Sequence, residues 1–395
     1  MKYMVLVPDG AADYPLDELG GQTPLEAAQT PNMDRLAREG VVGMVQMIPA
    51  ERPPGSDVGN LEIFGYDTRV HYTGRSPLEA ASMGVDLGAE GIAFRMNLIY
   101  REGDTLIDYS AGHIESEEAG ELVAELAAEL GQEHIRLYPG VQYRHLLVYD
   151  NAPEQLLSYP PHDIMDQSIS AHLPAGKGQE KIRVLMEAAE PILAASPVNA
   201  ARIARGERPA NAIWLWGSGR ALTLQTIPQR FGISGGVISA VDLVRGIGKS
   251  AGLEVIEVPD ITGYLDTNFE GKAEYALAAL TQGDFVYVHV EAPDEAGHNG
   301  DVQAKVKAIE DFDGRVVAPI LAGLDRIGPC RILMAPDHRT PIALRTHSRD
   351  PVPFVLWGTD AEPDAMVAYG EKPAEQGSMQ VGHGHLLMQY LMAND

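Results

Sequence analysis

The chain has 395 residues, 45% hydrophobic and 22% charged, a composition ordinary for a soluble globular protein and long enough for two domains. Its formal net charge of −26 comes from 56 acidic and 30 basic residues with no compensating basic run, which excludes nucleic acid and anionic membranes as partners. The single cysteine, Cys330, excludes an intrachain disulfide, and no stretch is apolar enough to span a bilayer, so the expected setting is the cytoplasm.

The first element is a short buried-type strand, Tyr3 to Val7, ending in Pro8-Asp9-Gly10 and too short for a signal peptide. A helical pattern follows from Thr23 to Glu39, broken at Pro31 and closed by Gly40. Residues 53–60 (PPGSDVGN) read as a loop entering a helix, Ile92 to Ile99 as a strand, and Ile114 to Leu130 as an acidic amphipathic helix capped by Gly131. Residues 139–180 are rich in loop signals. The strand Phe285 to Val290 ends at Glu291-Ala292-Pro293-Asp294, and a long helical pattern covers Asp301 to Ile327. Arg331 to Met334 ends at Ala335-Pro336-Asp337-His338, and Val352 to Trp357 is one more strand. Strands alternating with helices predict an α/β fold, a mostly parallel sheet covered by helices on both faces. Ligands of such sheets sit beyond the carboxyl ends of the strands, where Asp9, Asp294 and Asp337-His338 fall.

These strand ends carry metal-ligand chemistry. Asp294 and His298 share a helix face at one-turn spacing, and His347 follows in Thr346-His347-Ser348-Arg349-Asp350. Mixed carboxylate and imidazole ligands suit Mn²⁺, Zn²⁺ or similar ions better than Ca²⁺. Each group alone is commonly a cap or a surface pair; several at successive strand ends are a much rarer coincidence. Ser56 follows Gly55 at a probable helix start, where an anionic oxygen or phosphate is favoured. A plain helix N-cap is the competing role for that serine, and the metal ligands elsewhere tip the balance toward a nucleophile.

The segments VPDGAADYPL, PPGSDVGNLEIFGYD, YTGRSPLEAASMGVDLG, VEAPDEAGHNG, APDH and THSRDPVPF together resemble the archaeal-type cofactor-independent phosphoglycerate mutases, within the alkaline phosphatase superfamily. The resemblance runs over most of the chain. It implies an alkaline-phosphatase-like core at 1–85 and 211–395, with a smaller α+β cap inserted at 86–210. It also implies two divalent ions, Mn²⁺ first with Zn²⁺, Co²⁺ or Mg²⁺ as alternatives. One would be held by Asp294, His298 and His347, the other by Asp9, Asp337 and His338 with Ser56. Ser56 would take the phosphoryl group of 3-phosphoglycerate and return it to the other hydroxyl of a reoriented glycerate, giving 2-phosphoglycerate without a bisphosphoglycerate cofactor.

An anionic substrate facing so acidic a chain needs local cations. Arg75 and Arg144 are the first candidates, Lys249 a weaker one, and surface salt bridges the competing role for each. Tyr109 and His113 occupy positions where the archaeal enzymes usually carry arginine, and this form is similar to a bacterial subgroup for which a homoserine kinase role has been proposed. His113 could shuttle a proton, contact an anion or simply sit in a loop. The expected function is therefore a mutase acting on a small phosphorylated metabolite, with a homoserine kinase-like phosphotransferase or a metal-dependent phosphomonoesterase as alternatives. A non-catalytic metal binder would have no need of Ser56. Gly246-Ile247-Gly248-Lys249-Ser250 fails as a P-loop because position 243 is Leu243, and Gly382-His383-Gly384-His385 is set aside as a loop or a turn before the last helix.

Overall fold

The structure is a computed structural model that describes residues 1–154, 156–358, 362–364 and 366–393. Among them the strands are β1 (Lys2–Pro8), β2 (Val41–Val45), β3 (Gly91–Glu102), β4 (Thr105–Asp108), β5 (Ile135–Tyr138), β6 (Arg144–Asp150), β7 (Ala212–Arg220), β8 (Gly235–Ile238), β9 (Glu254–Val255), β10 (Phe285–Val290), β11 (Cys330–Met334), β12 (Val352–Gly358) and β13 (Met379–Val381). The chain forms two compact units. One joins Met1–Tyr72 to the chain from Thr223 onward, and the other is the inserted Thr73–Leu222. This insertion is wider at both ends than 86–210, because the helix Ser76–Met83 packs on β3 and β7 pairs with β3.

The first unit is built on one sheet in the order β13-β2-β12-β11-β1-β10-β8-β9. All neighbours are parallel except β12, which runs against both β11 and β2. β1 is buried from Tyr3 to Pro8, an unbroken apolar run that suits a strand covered on both faces. Its register sets Pro8 beside Val290 of β10 and Leu6 beside Met334 of β11. Asp9, Asp294 and Asp337 thus leave the sheet along one edge, the carboxyl edge. The reversed direction of β12 brings its first residue, Val352, to that edge beside Val45, the last residue of β2. The loop carrying His347 into β12 and the loop carrying Ser56 out of β2 therefore arrive at the same place.

Proline sets the interruptions of the helices. The Thr23–Glu39 pattern splits into Pro24–Ala27, opened by a Thr23/Glu26 capping box, and Pro31–Glu39. The Asp301–Ile327 pattern splits into Val302–Phe312, a π-turn Asp313–Val317, Ala318–Gly323 and a 3₁₀ turn Leu324–Arg326. Pro319 cannot donate to the carbonyl one turn back, and the widened turn precedes it.

In the inserted unit β3 is central, antiparallel to β4, β6 and β7, with β5 outside β6. One face carries a large core that includes Phe94, Met96, Leu98, Leu147, Trp214 and Trp216 and buries residues of the helices Ser116–Leu130 and Gln179–Ala195. The other face is small, with Ala80, Ala93, Leu146 and Val148. β6 lies inside the 139–180 stretch that reads as loop. Its Leu146-Leu147-Val148 run is short and buried on both faces, so it lacks the alternation that marks a half-exposed strand. No helix among the described residues is long and apolar enough to cross a membrane.

Candidate active site

At the carboxyl edge of the first unit, two groups of donors converge. In one, Asp294 and His298 lie one turn apart on the helix Ala292–Asn299, with His298 Nε2 3.2 Å from Asp294 Oδ2. His347 Nε2 lies 3.5 Å from Asp294 Oδ1 and 2.9 Å from His298 Nε2. Two imidazole nitrogens at that distance need either one proton between them or one cation bound by both. With the proton, His298 is pushed up to about 9, chiefly by its hydrogen bond to Asp294 and against the effect of burial. Burial opposes ionisation of Asp294, but His298 and His347 hold its carboxyl well below the ordinary range.

The second group surrounds His338, which is fully buried. Its Nε2 lies 3.1 Å from Ser56 Oγ, 3.4 Å from Asp337 Oδ2 and 3.5 Å from Asp9 Oδ1. Ser56 opens the helix Ser56–Ile63, so its hydroxyl sits at the positive end of the helix dipole. Asp9 Oδ2 accepts from His289 Nε2 at 2.8 Å, while the buried Asp9 Oδ1 has no hydrogen-bond partner. Burial, with Asp337, Glu291 and Asp294 close by, raises the Asp9 carboxyl well above its usual range. Glu291 is likewise pushed up to about 8 by burial and Asp294, and burial raises Asp337.

Two tight approaches explain glycines in this region. Gly10 has φ +59°, and a Cβ there would stand 2.5 Å from both Asp294 Oδ1 and Thr340 Oγ1. A Cβ on Gly59 would stand 2.3 Å from the Asp337 carbonyl oxygen.

The surrounding side chains hold these groups in place. Asn60 Nδ2 donates to Asp337 Oδ2 at 2.7 Å and to the Ser56 carbonyl at 2.9 Å, and its Oδ1 accepts from the Tyr287 hydroxyl at 2.6 Å. Lys305 is buried and reaches Asp13 Oδ2 at 2.7 Å and the Thr340 carbonyl at 2.8 Å. Lys272, pushed down to about 8 by burial, donates to the His289 carbonyl at 2.8 Å. None of these was singled out from sequence. His289 had a legible signal, because one imidazole inside the wholly buried Phe-Val-Tyr-Val-His-Val strand must find a partner.

The donor set tests well against divalent cations: an orphaned buried carboxylate oxygen, two imidazole nitrogens sharing one point, and oxygen and nitrogen donors only. Asp294, His298 and His347 form one candidate metal-binding group, and Asp9 and His338 belong to a second with Asp294. Asp9 also groups with His289 and Asp337.

The candidates for holding substrate lie elsewhere. Lys249 is exposed in the last turn of the helix Asp242–Ser250, which follows β8, so it sits at the far end of that helix from the carboxyl edge. Arg75, Arg144 and His113 belong to the inserted unit. Arg75 and Arg144 lie close enough to Arg95 to disfavour its charge, and with burial as the largest cause Arg95 is pushed down to about 10. Arg95 stacks 4.7 Å over Trp216 and stands 3.1 Å from Glu79. Arg144 lies 5.6 Å over Tyr143, and Tyr109 meets Tyr143 and His162 edge-on. Tyr109 thus belongs to an aromatic patch beside three arginines. His113 is exposed at φ +52°, its backbone N–H bonded to Ser110 Oγ.

Of the remaining motifs, His385 forms a further candidate metal-binding group with Glu62 and Asp67. His385 Nδ1 and N both bond Glu62 Oε2, in a turn before the helix Leu387–Met392. Burial pushes the Cys330 thiol up to about 12, which leaves it inert.

Known proteins resemble this chain over nearly all its length. A Geobacter sulfurreducens protein named probable 2,3-bisphosphoglycerate-independent phosphoglycerate mutase is 51% identical across 99% of this chain and 100% of its own. The 2,3-bisphosphoglycerate-independent phosphoglycerate mutase of Methanosarcina acetivorans is 52% identical across 96% of each chain. The chain belongs to this family. The family model described as 2,3-bisphosphoglycerate-independent phosphoglycerate mutase matches residues 37–199. Among solved structures, a Pyrococcus horikoshii protein superposes with a TM-score of 0.85 at 30% identity, covering 100% of this chain and 98% of its own. The cofactor-independent phosphoglycerate mutase of Thermoplasma acidophilum gives 0.68 at 25% identity, covering 99% of each. The mixed α/β fold is thus that of the cofactor-independent mutases, and the relatives' names do not favour transfer to homoserine.

Proposed function

We propose that this chain interconverts 3-phosphoglycerate and 2-phosphoglycerate without a bisphosphoglycerate cofactor, storing the phosphoryl group on Ser56. The observation that carries this reading is the position of Ser56 Oγ, 3.1 Å from His338 Nε2 at a helix N-terminus beside both donor groups. Asp294, His298 and His347 would hold one divalent cation, and Asp9, Asp337 and His338 with Ser56 the other; Mn²⁺ is the first candidate. Bound there, the pair would supply charge neutralisation on the phosphoryl oxygens and a more acidic serine hydroxyl.

The chain's own groups do the rest. As the Ser56 Oγ–P bond forms, the bond from phosphorus to the glycerate 3-oxygen breaks, and that oxygen takes the proton the serine gives up. After glycerate reorients, its 2-hydroxyl attacks the phosphoserine, the Oγ–P bond breaks, and Ser56 regains a proton. The amide end of the Ser56–Ile63 helix favours the negative charge in both directions. Asn60 keeps the Ser56 backbone and Asp337 at a fixed separation through its two donated bonds. Within the inserted unit Arg75 and Arg144 lie close to Arg95, which Glu79 partners, and such a group of guanidinium cations would suit an anionic metabolite in a protein of net charge −26.

The test is an enolase-coupled assay with 3-phosphoglycerate and Mn²⁺, without bisphosphoglycerate, run beside Ser56→Ala. Turnover by the wild type and none by the variant is expected. A silent wild type that transfers phosphate from ATP to homoserine would replace this reading.

A further inference from the structure

Thr340 stands between the two donor groups and belongs to neither. It is fully buried, two residues beyond His338 in the loop after β11. Its Oγ1 bonds Asp294 Oδ1 and lies 3.2 Å from His338 Nδ1. A hydroxyl has one proton to give. The carboxylate can only accept, so that proton goes to Asp294, and the bond with His338 must run the other way, from Nδ1–H to Oγ1. In a neutral imidazole the proton on Nδ1 leaves Nε2 bare. Nε2 is the atom that faces Ser56 Oγ at 3.1 Å and Asp9 Oδ1 at 3.5 Å.

The threonine is itself held on several sides. Its N–H donates to the Ala12 carbonyl at 3.2 Å, and its carbonyl accepts from Lys305 Nζ at 2.8 Å. Gly10 and Gly297 close in on it, for a Cβ on Gly10 would stand 2.5 Å from Oγ1 and a Cβ on Gly297 2.9 Å from Cγ2. Lys305 also binds Asp13, whose carboxylate accepts from the Ile342 N–H at 3.1 Å. The loops after β1 and β11 are thereby locked together, and the Thr340 hydroxyl has one place to be.

We propose that Thr340 is a positioning residue that couples the two cation groups, fixing the tautomer of His338 and the orientation of Asp294 through one hydroxyl. The inference rests on the reading that Asp294 and His338 hold cations. Outer-shell partners of ligating imidazoles typically cost 10–100-fold in metal affinity when removed. Valine keeps the methyl against Gly297 and loses the hydroxyl; serine keeps the hydroxyl.

Full-length wild type, Thr340→Val and Thr340→Ser are titrated with Mn²⁺ alone against a chelating competitor. Two sites are expected in the wild type, a loss on the order of 10–100-fold in Thr340→Val, and recovery in Thr340→Ser. Wild-type affinity at both sites in Thr340→Val overturns the inference while leaving the metal centre standing. Fewer than two sites in the wild type overturns both. Independently, ¹⁵N-histidine spectra of the wild-type chain before Mn²⁺ is added, with His338 assigned by His338→Gln, should show Nδ1 protonated and Nε2 bare. A proton on Nε2 there refutes the inference even if two Mn²⁺ bind and even if the valine variant fails to fold.

Discussion

Replacing Asn60 by leucine isolates what the polar lock beneath Ser56 contributes. The substitution keeps the volume close to the original and removes three hydrogen bonds at once, two of them buried and the one to the Ser56 carbonyl partly buried. The Tyr287 hydroxyl, stacked by its ring on Phe64 at 4.0 Å, would be left without an acceptor, which costs about 1–3 kcal/mol. Asp337 Oδ2 would lose a donor to a charged acceptor, about 1.5–3 kcal/mol, and the Ser56 carbonyl a neutral bond of about 1 kcal/mol. Such terms are not additive, so the expected total is roughly 3–5 kcal/mol, a large share of a stability of about 5–15 kcal/mol. Native-state hydrogen exchange at the β10 amides reads this within the first unit, where the loss should accelerate exchange by more than about 100-fold. Tyr287→Phe removes the orphaned hydroxyl, so the double variant should recover about 1–2 kcal/mol over Asn60→Leu alone. A loss below about 1 kcal/mol, or strict additivity of the two substitutions, would refute the assignment of these bonds as a cooperative lock.

Three further outcomes follow from other parts of the chain. Arg95→Met should raise KM for 3-phosphoglycerate about 10–100-fold, and Arg95→Lys should not restore it, because a lysine cannot stack on Trp216 and fork to a carboxylate together; an unchanged KM removes Arg95 from substrate binding. Lys305→Met leaves the Asp13 carboxylate buried without its cation and should cost about 3–5 kcal/mol in urea unfolding, whereas a loss under about 1 kcal/mol would mean that the pair is solvated. Lys272 has its folded pKa depressed to about 8 from 10.5, so the unfolded chain binds the extra proton between those values and stability should rise with pH across that window. Lys272→Met should flatten that rise by roughly 3 kcal/mol, and equal slopes in wild type and variant would contradict the depressed pKa.

What was legible in the sequence was what proximity along the chain supplies. Asp9, Asp294, Asp337 and His338 each follow an apolar run that ends abruptly, so their arrival at a strand end could be read directly. Strand β10 matches the span read for it, Phe285–Val290, because its residues are buried without a break. The supporting residues were not legible because their partners are distant: Asn60 reaches Asp337 across 277 positions, and Lys305 reaches Asp13 across 292. A lysine in a helical pattern reads as a solvated face until the pairing of strands shows that it points inward. Arg95 was hidden in the same way, within an apolar strand whose register against β7 shifts between Ala93 and Arg95 and sets the arginine opposite Trp216. Pro319 was visible in the sequence, but a proline signals an interruption without saying that the helix will widen and continue rather than stop.

The distribution of buried charge in the first unit argues for what the site must receive. Asp9, Asp337, Glu291 and Asp294 share one desolvated corner, and the first three are held above the ordinary carboxylate range because burial and mutual repulsion both oppose ionisation. The two buried lysines nearby do not relieve this. Lys272 is engaged with the His289 carbonyl, and Lys305 with Asp13 and the backbone around Thr340. Both serve to brace the loops, which leaves the corner short of positive charge. A fold that only needed stability would do better with apolar side chains of similar volume in these positions. Retaining four acidic groups there, with one carboxylate oxygen orphaned and two imidazoles facing each other at 2.9 Å, is consistent with a site completed by divalent cations.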